Sequence, residues 1–167
     1  MSLKNNNIFN EEITALQILS SLDKYAIEIG VIEGKENKRN KNTKNNEITN
    51  AKLMFIHENG SPIKNIPKRP VLQMTIDWAK SGPINELIDK CIEGVLYKNW
   101  TEFNIKREIQ ILANKMEQYS REIIYKNDGR LIPNSKQTAK RKKSGNHPLF
   151  ETGQLAKSIT ARVIELN

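Results

Sequence analysis

The sequence predicts an α+β fold, a small antiparallel sheet packed with several helices. Three observations predict it. Tyr25, Ile27, Ile29 and Val31 alternate with Ala26, Glu28 and Gly30, the period of a strand with one buried face, over about residues 25–32. Ile159, Ala161 and Val163 alternate in the same way with Thr160, Arg162 and Ile164, giving a final strand over about residues 159–165. Between them Ile105, Ile109, Leu112, Met116, Tyr119 and Ile123 recur in steps of 4, 3, 4, 3 and 4, which marks one long helix over about residues 104–126.

The remaining elements follow in order. Asn10 is placed to cap a first helix, with Glu11 and Glu12 in its first turn and Ile13, Leu16, Leu19 and Leu22 as its apolar face. After the first strand, residues 34–47 contain no apolar side chain and read as a solvated loop. Thr49 or Asn50 then starts a short helix through Leu53, Met54 and Ile56 that Asn59-Gly60 ends. The run is short enough to leave a strand open.

Three prolines in Ser61–Pro70 make a stiff, extended connector. A helix runs from Val71 past Trp78. Gly82-Pro83 interrupts it, and Pro83 suits the first turn of the next helix, whose stripe is Ile84, Leu87, Ile88, Cys91 and Val95. Thr101 is placed to cap the long helix, and Asn127-Asp128-Gly129 to stop it. Thr152 caps one last turn that puts Leu155 and Ile159 on one face. Gly153 reads as a backbone position that other residues resist, and Thr152-Gly153 sets how the last strand is approached.

The whole of residues 1–167 reads as a single domain around one modest core, with flexible basic loops at about 34–48 and 129–147. The net charge of +8 is concentrated in those loops. Residues 35–44 carry +4 and 130–143 carry +6, so the remainder sums to −2. Such loops attract nucleic-acid phosphates or an acidic protein surface, or are simply solvated. Specific base readout is not expected, because the loops hold no aromatic residue and no zinc-finger or RNA-recognition signature occurs. No apolar run is long enough to span a bilayer, and the first residues do not read as a signal peptide. A cytoplasmic site of synthesis is expected.

Little chemistry is on offer. The lone Cys91 sits in an apolar helical pattern and reads as a small core residue. His57-Glu58 begins like a zinc-protease motif, but the fifth position is Ser61, so His57 reads as a structural or hydrogen-bonding residue. His147 is expected in an exposed loop. Asp77, Glu86 and Asp89 read as surface charges. No phosphate loop, dinucleotide fingerprint or nucleophile elbow occurs. The expectation is therefore no enzyme, no cofactor and no metal. A hydrolase would need a polar pocket holding both His57 and Glu58.

Three stretches, in this order, resemble a known family. The first contains His57, Glu58 and Gly60. The second runs Ile66-Pro67-Lys68-Arg69-Pro70-Val71-Leu72. The third is Pro148-Leu149-Phe150-Glu151-Thr152-Gly153-Gln154-Leu155 with Lys157-Ser158-Ile159. With the basic loop before the third, they resemble the tail-completion and virion-morphogenesis proteins of tailed bacteriophages over roughly residues 25–165. The pattern departs at Asn59, Val71 and Glu151, where that family usually carries an aromatic residue, Phe and Asp.

The resemblance implies a non-catalytic structural protein at the head–tail junction or the tail end, working as a ring or on a ring. Its implied partners are a head–tail connector, a tail-tube or terminator protein, and further copies of itself. Its implied place is the host cytoplasm during assembly and then the neck or tail of the virion. In that setting Arg69, on its proline-stiffened support, would pair with a carboxylate across an interface, or else serve locally in a salt bridge or helix cap. Lys136, Lys140, Arg141, Lys142 and Lys143 would face an acidic ring or the DNA. His57, Glu58, Gly60, Pro67, Pro70, Thr152, Gly153 and Leu155 would serve the fold. The alternative is a basic nucleic-acid-binding domain that does not read sequence.

Overall fold

The computed structural model describes residues 13–32 and 48–166. The fold is α+β, and the described residues form seven helices and a two-stranded antiparallel sheet. Helix α1 is helical over residues 13–20 and runs into a 3-10 turn, Ser21–Lys24. Strand β1 (Tyr25–Gly30) follows, then α2 (Asn50–Asn59), α3 (Val71–Ser81), α4 (Pro83–Tyr97), α5 (Glu102–Lys126), α6 (Lys136–Arg141), α7 (Gln154–Ser158) and β2 (Thr160–Glu165). The loop expected over 34–48 and the Asn10 cap fall almost wholly outside the described residues.

The strands pair start to end. Leu166 N–H donates to the Lys24 carbonyl at 2.7 Å, and farther along the ladder Arg162 Nε meets Glu28 Oε2 at 2.7 Å. The apolar residues gather in two buried clusters rather than one core, each inside its own compact unit. The first unit takes residues 13–28, Ala79–Asn114 and 162–166. Cys91, Val95, Ile105 and Ile109 are buried there, with Leu19, Leu22, Tyr25, Ile27, Trp100 and Val163 packed against them. Cys91 is fully buried, as its pattern predicts, and that burial pushes its thiol pKa up.

Two apolar faces differ from expectation. Ile13 and Leu16 on α1 are 41% and 67% exposed, so only the second half of that face packs. On α4, Ile88 and Ile92 lie outward with Leu96 while Cys91 and Val95 turn in, because the true seam of this helix is narrower than the run of apolar residues. Glu108 is buried beside them. Its carboxylate is neutralised by Lys90 at 2.6 Å and Arg107 at 3.4 Å.

The second unit takes residues 29–32, 48–78 and Lys115–Ala161. Its cluster joins Met54 of α2, Val71 of α3, Ile123 and Ile124 of α5, and Leu155, Ala156 and Ile159 around α7. Helix α2 starts as the sequence predicts: Thr49 Oγ1 accepts the Lys52 N–H at 3.2 Å. Thr75 and Ser120 are fully buried and pair by their hydroxyls at 2.7 Å.

The second basic loop differs from expectation. Six of its residues form α6, because Ser135 caps it by accepting the Thr138 N–H at 3.2 Å. The Thr152 cap is also shifted by one residue. The cap position is Gly153, at φ 73°, while Thr152 Oγ1 only reaches the Gln154 N–H at 3.4 Å. Gly153 is buried, and a Cβ there would lie 3.3 Å from the Phe150 ring, so both conformation and space call for glycine.

Candidate functional site

The second unit contains a cleft of about 810 Å³ between α2, the proline-rich connector, α6 and the start of α7. The three stretches of the resemblance build it. Asn59-Gly60 ends α2 with Gly60 at φ 74°, and a Cβ there would lie 3.1 Å from the Ile66 carbonyl oxygen and the Lys68 nitrogen. Glycine therefore lets the connector fold back, and Ser61 and Ile66 close a small bridge. The Arg69 N–H then donates to the His57 carbonyl at 2.6 Å.

Glu58 turns away from the cleft. Its carboxylate accepts the N–H groups of Leu72 at 3.1 Å and Gln73 at 2.8 Å, capping the start of α3 from another helix. Pro70 stands immediately before that helix, and Pro67 lies in the cleft wall. The cleft thus holds His57 without Glu58, so the pairing a hydrolase reading requires is not formed.

Arg69 is only 5% exposed. Its Nε donates to the Ile132 carbonyl at 2.7 Å, and its Nη2 to the Pro133 carbonyl at 3.0 Å and Asn134 Oδ1 at 3.3 Å. The local salt bridge or cap considered for Arg69 is replaced by a clamp on the turn that follows Leu131. Its Nη1 has no acceptor among the described residues, and no carboxylate pairs with it there.

Lys142 departs from the outward face expected of it. Its Nζ donates to the carbonyls of His147 at 2.8 Å and Phe150 at 2.6 Å, with Glu151 at 3.8 Å. The chain rounds the corner from α6 to α7, and Lys142 ties two of its carbonyls together, that of Phe150 also accepting from Ser144 Oγ at 2.6 Å. Lys136, Lys140, Arg141 and Lys143 are exposed, as predicted. His147 is half-buried rather than exposed. Its Nε2 lies 2.6 Å from the Ile124 carbonyl and so carries the proton, while its ring stacks on Phe150 at 4.6 Å.

His57 is the ionisable group that the cleft perturbs most. Its pKa falls from 6.5 to about 4, first because burial penalises the imidazolium and then because Arg69 and Lys142 repel it. Its Nδ1 is buried and has no hydrogen-bond partner among the described residues. Burial also lowers the pKa of Arg69 and of Lys142. Among the described residues, the charged groups lining the cleft are Lys64, Arg69, Arg141 and Lys142 against the single acid Glu151. This arrangement can hold an anion. Among the described residues no three His, Cys, Asp or Glu side chains group to hold a metal ion, and no helix is long and apolar enough to cross a membrane.

No family model matches the chain, and no curated protein or solved structure matches it. The cleft itself escaped the sequence reading. The only signal for it was Arg69 among prolines, which named the residue but not the carbonyls that turn it inward.

Proposed function

We propose that this protein is a non-catalytic structural component of a tailed-bacteriophage virion, completing the tail or joining it to the head by docking onto an oligomeric ring. One observation carries the reading. The third of the stretches that resemble that family lies far along the chain from the first two, yet all three interlock in one unit. The carbonyl of His57 holds Arg69, Glu58 caps the helix that begins at Val71, and Val71 shares a buried cluster with Leu155 and Ile159. Matching residues that serve architecture are what a family defined by shape, not by bond chemistry, would share. Docking would take place in the host cytoplasm, before the protein enters the neck or tail.

The test mixes the purified full chain with candidate portal and tail-tube rings encoded beside its gene, and follows mass by light scattering. A ring-bound stoichiometric complex is expected. A chain that binds neither ring overturns the reading.

The exposed cations favour a second reading, contact with DNA phosphates through α6 and Lys143. It predicts DNA affinity that falls steeply with salt, with a log–log slope set by the phosphates neutralised. Replacing Lys136, Lys140, Arg141 and Lys143 by Ser, with Lys142 kept because it is structural, separates the two. If DNA affinity is unchanged by this replacement, the second reading fails.

A further inference from the structure

The cleft of the second unit is electrostatically unfinished. A guanidinium that is 5% exposed normally meets a carboxylate, since a buried charge satisfied by neutral groups alone carries a large desolvation cost. Arg69 meets three neutral acceptors, and they engage Nε and Nη2 only. Among the described residues the two N–H groups of Nη1 have no acceptor. Lys142, Lys64 and Arg141 add cations to the same walls. The lone acid, Glu151, is already engaged by the Lys143 N–H at 3.2 Å and Ser144 Oγ at 3.0 Å.

We propose that this cleft receives an acidic side chain, Asp or Glu, presented on an apolar-flanked segment of a partner polypeptide, with its carboxylate on Arg69 Nη1.

The shape of the site favours a carboxylate on a peptide over a phosphate or a nucleotide. Leu53, Ile66, Leu149 and Leu155 line the walls, giving an aliphatic stem and apolar neighbours a surface to cover. His57 is the one ring among the lining residues, so no aromatic platform is offered to a base. Lys142 donates to two carbonyls, so a phosphate would have to draw most of its donors from the exposed Lys64 and Arg141. A monoanion matches the single free edge of Arg69. The pKa of His57 is depressed first by burial, and the further lowering by Arg69 and Lys142 agrees with an excess of local positive charge. The proposal rests on the docking part of the function proposed above and names the chemistry of the partner. It does not depend on which ring is bound.

The experiment titrates the full-length protein with a blocked pentapeptide, acetyl-Ala-Leu-Glu-Leu-Ala-amide, and follows the Arg69 and His57 side-chain resonances by NMR. Its Gln analogue and inorganic phosphate are run as separate arms. Saturable shifts with the Glu peptide are expected, with binding about tenfold weaker for the Gln analogue, the size of a charge-assisted contact. Arg69→Met would loosen the turn it clamps, so the variant used is Lys64→Ser with Arg141→Ser, which alters exposed side chains only. It should weaken the Glu peptide several-fold and leave the Gln peptide unchanged.

Equal affinity for the Glu and Gln peptides overturns the proposal. So does tighter binding of phosphate at these resonances, which assigns the cleft to a phosphate ligand. Self-association that the double variant abolishes also overturns it, giving the cleft to a second copy of the chain. Failure of these arms leaves ring binding intact, and failure of ring binding leaves them intact, so the two readings fail separately.

Discussion

The indole of Trp100 lies against the Cα of Gly94, so close that a Cβ built on Gly94 would sit inside the ring. The chain reverses after α4 to bring this about. Lys98 and Trp100 both donate to the Gly94 carbonyl, at 3.0 and 3.1 Å. Gly94→Ala sets two effects against each other. Alanine favours a helix over glycine by about 1 kcal/mol. Overpacking a rigid ring costs about 1–3 kcal/mol, and here three ring atoms must move together. The expected net effect is a loss of up to roughly 2 kcal/mol in urea unfolding. A stabilised variant would show that Trp100 does not pack there.

Thr75 and Ser120 form a buried hydroxyl chain. Their oxygens are 2.7 Å apart, and each also has a helix carbonyl within reach, Val71 at 2.9 Å and Met116 at 3.0 Å. With two protons for three acceptor positions, each hydroxyl relies on the other. Thr75→Val and Ser120→Ala should each cost about 1–2 kcal/mol. The double variant should cost clearly less than their sum, because no orphaned hydroxyl remains. A double-mutant cycle by chemical denaturation measures this, and strict additivity would contradict the pairing.

Glu58 holds the first turn of α3 by accepting two of its backbone N–H groups. Glu58→Gln keeps one acceptor oxygen and loses the charge that favours a helix N-terminus, and should cost about 1 kcal/mol. Glu58→Ala removes both bonds and should cost about 2 kcal/mol. Hydrogen exchange should quicken first at Leu72 and Gln73. If exchange there is unaltered, the cap carries no weight.

His57 makes stability depend on pH. Its pKa is lower folded, about 4, than the 6.5 of an exposed imidazole, so the folded state resists protonation. Its contribution is whole above pH 6.5 and is lost as pH falls toward 4. Allowing for partial solvent screening, the loss is on the order of 2–3 kcal/mol. The difference in stability between wild type and His57→Gln should shrink over that window. The His57 Cε1 proton should titrate with a midpoint well below the ordinary range. A midpoint near 6.5 would show that His57 is neither desolvated nor repelled by Arg69 and Lys142.

Much of the fold was legible in the amino-acid order, because periodicity and caps act locally. The seam from Ile105 to Ile123 on α5 lies inward as spaced, with Tyr119 half-buried within it. Both strands, the Thr49 start of α2 and the Gly82-Pro83 break are where their patterns place them. Helix α6 was hidden because its six residues bear no apolar stripe, and only the Ser135 cap marks it. The outward lie of Ile88 and Ile92 was hidden too, since an apolar residue does not by itself say which neighbour covers it.

Sequence alone determined both strands and the helices other than α6, the positions of the two glycine turns at Gly60 and Gly153, and the want of familiar catalytic motifs. Each is set by residues within a few positions of one another. Tertiary structure decided that Arg69 turns inward to carbonyls more than sixty residues away, that Lys142 is spent on its own chain, and that His57 and Glu58, adjacent in sequence, face different duties. Hydrogen-bond acceptors and burial belong to whichever segments the chain brings together, so the character of a charged side chain is fixed only once the fold has closed around it.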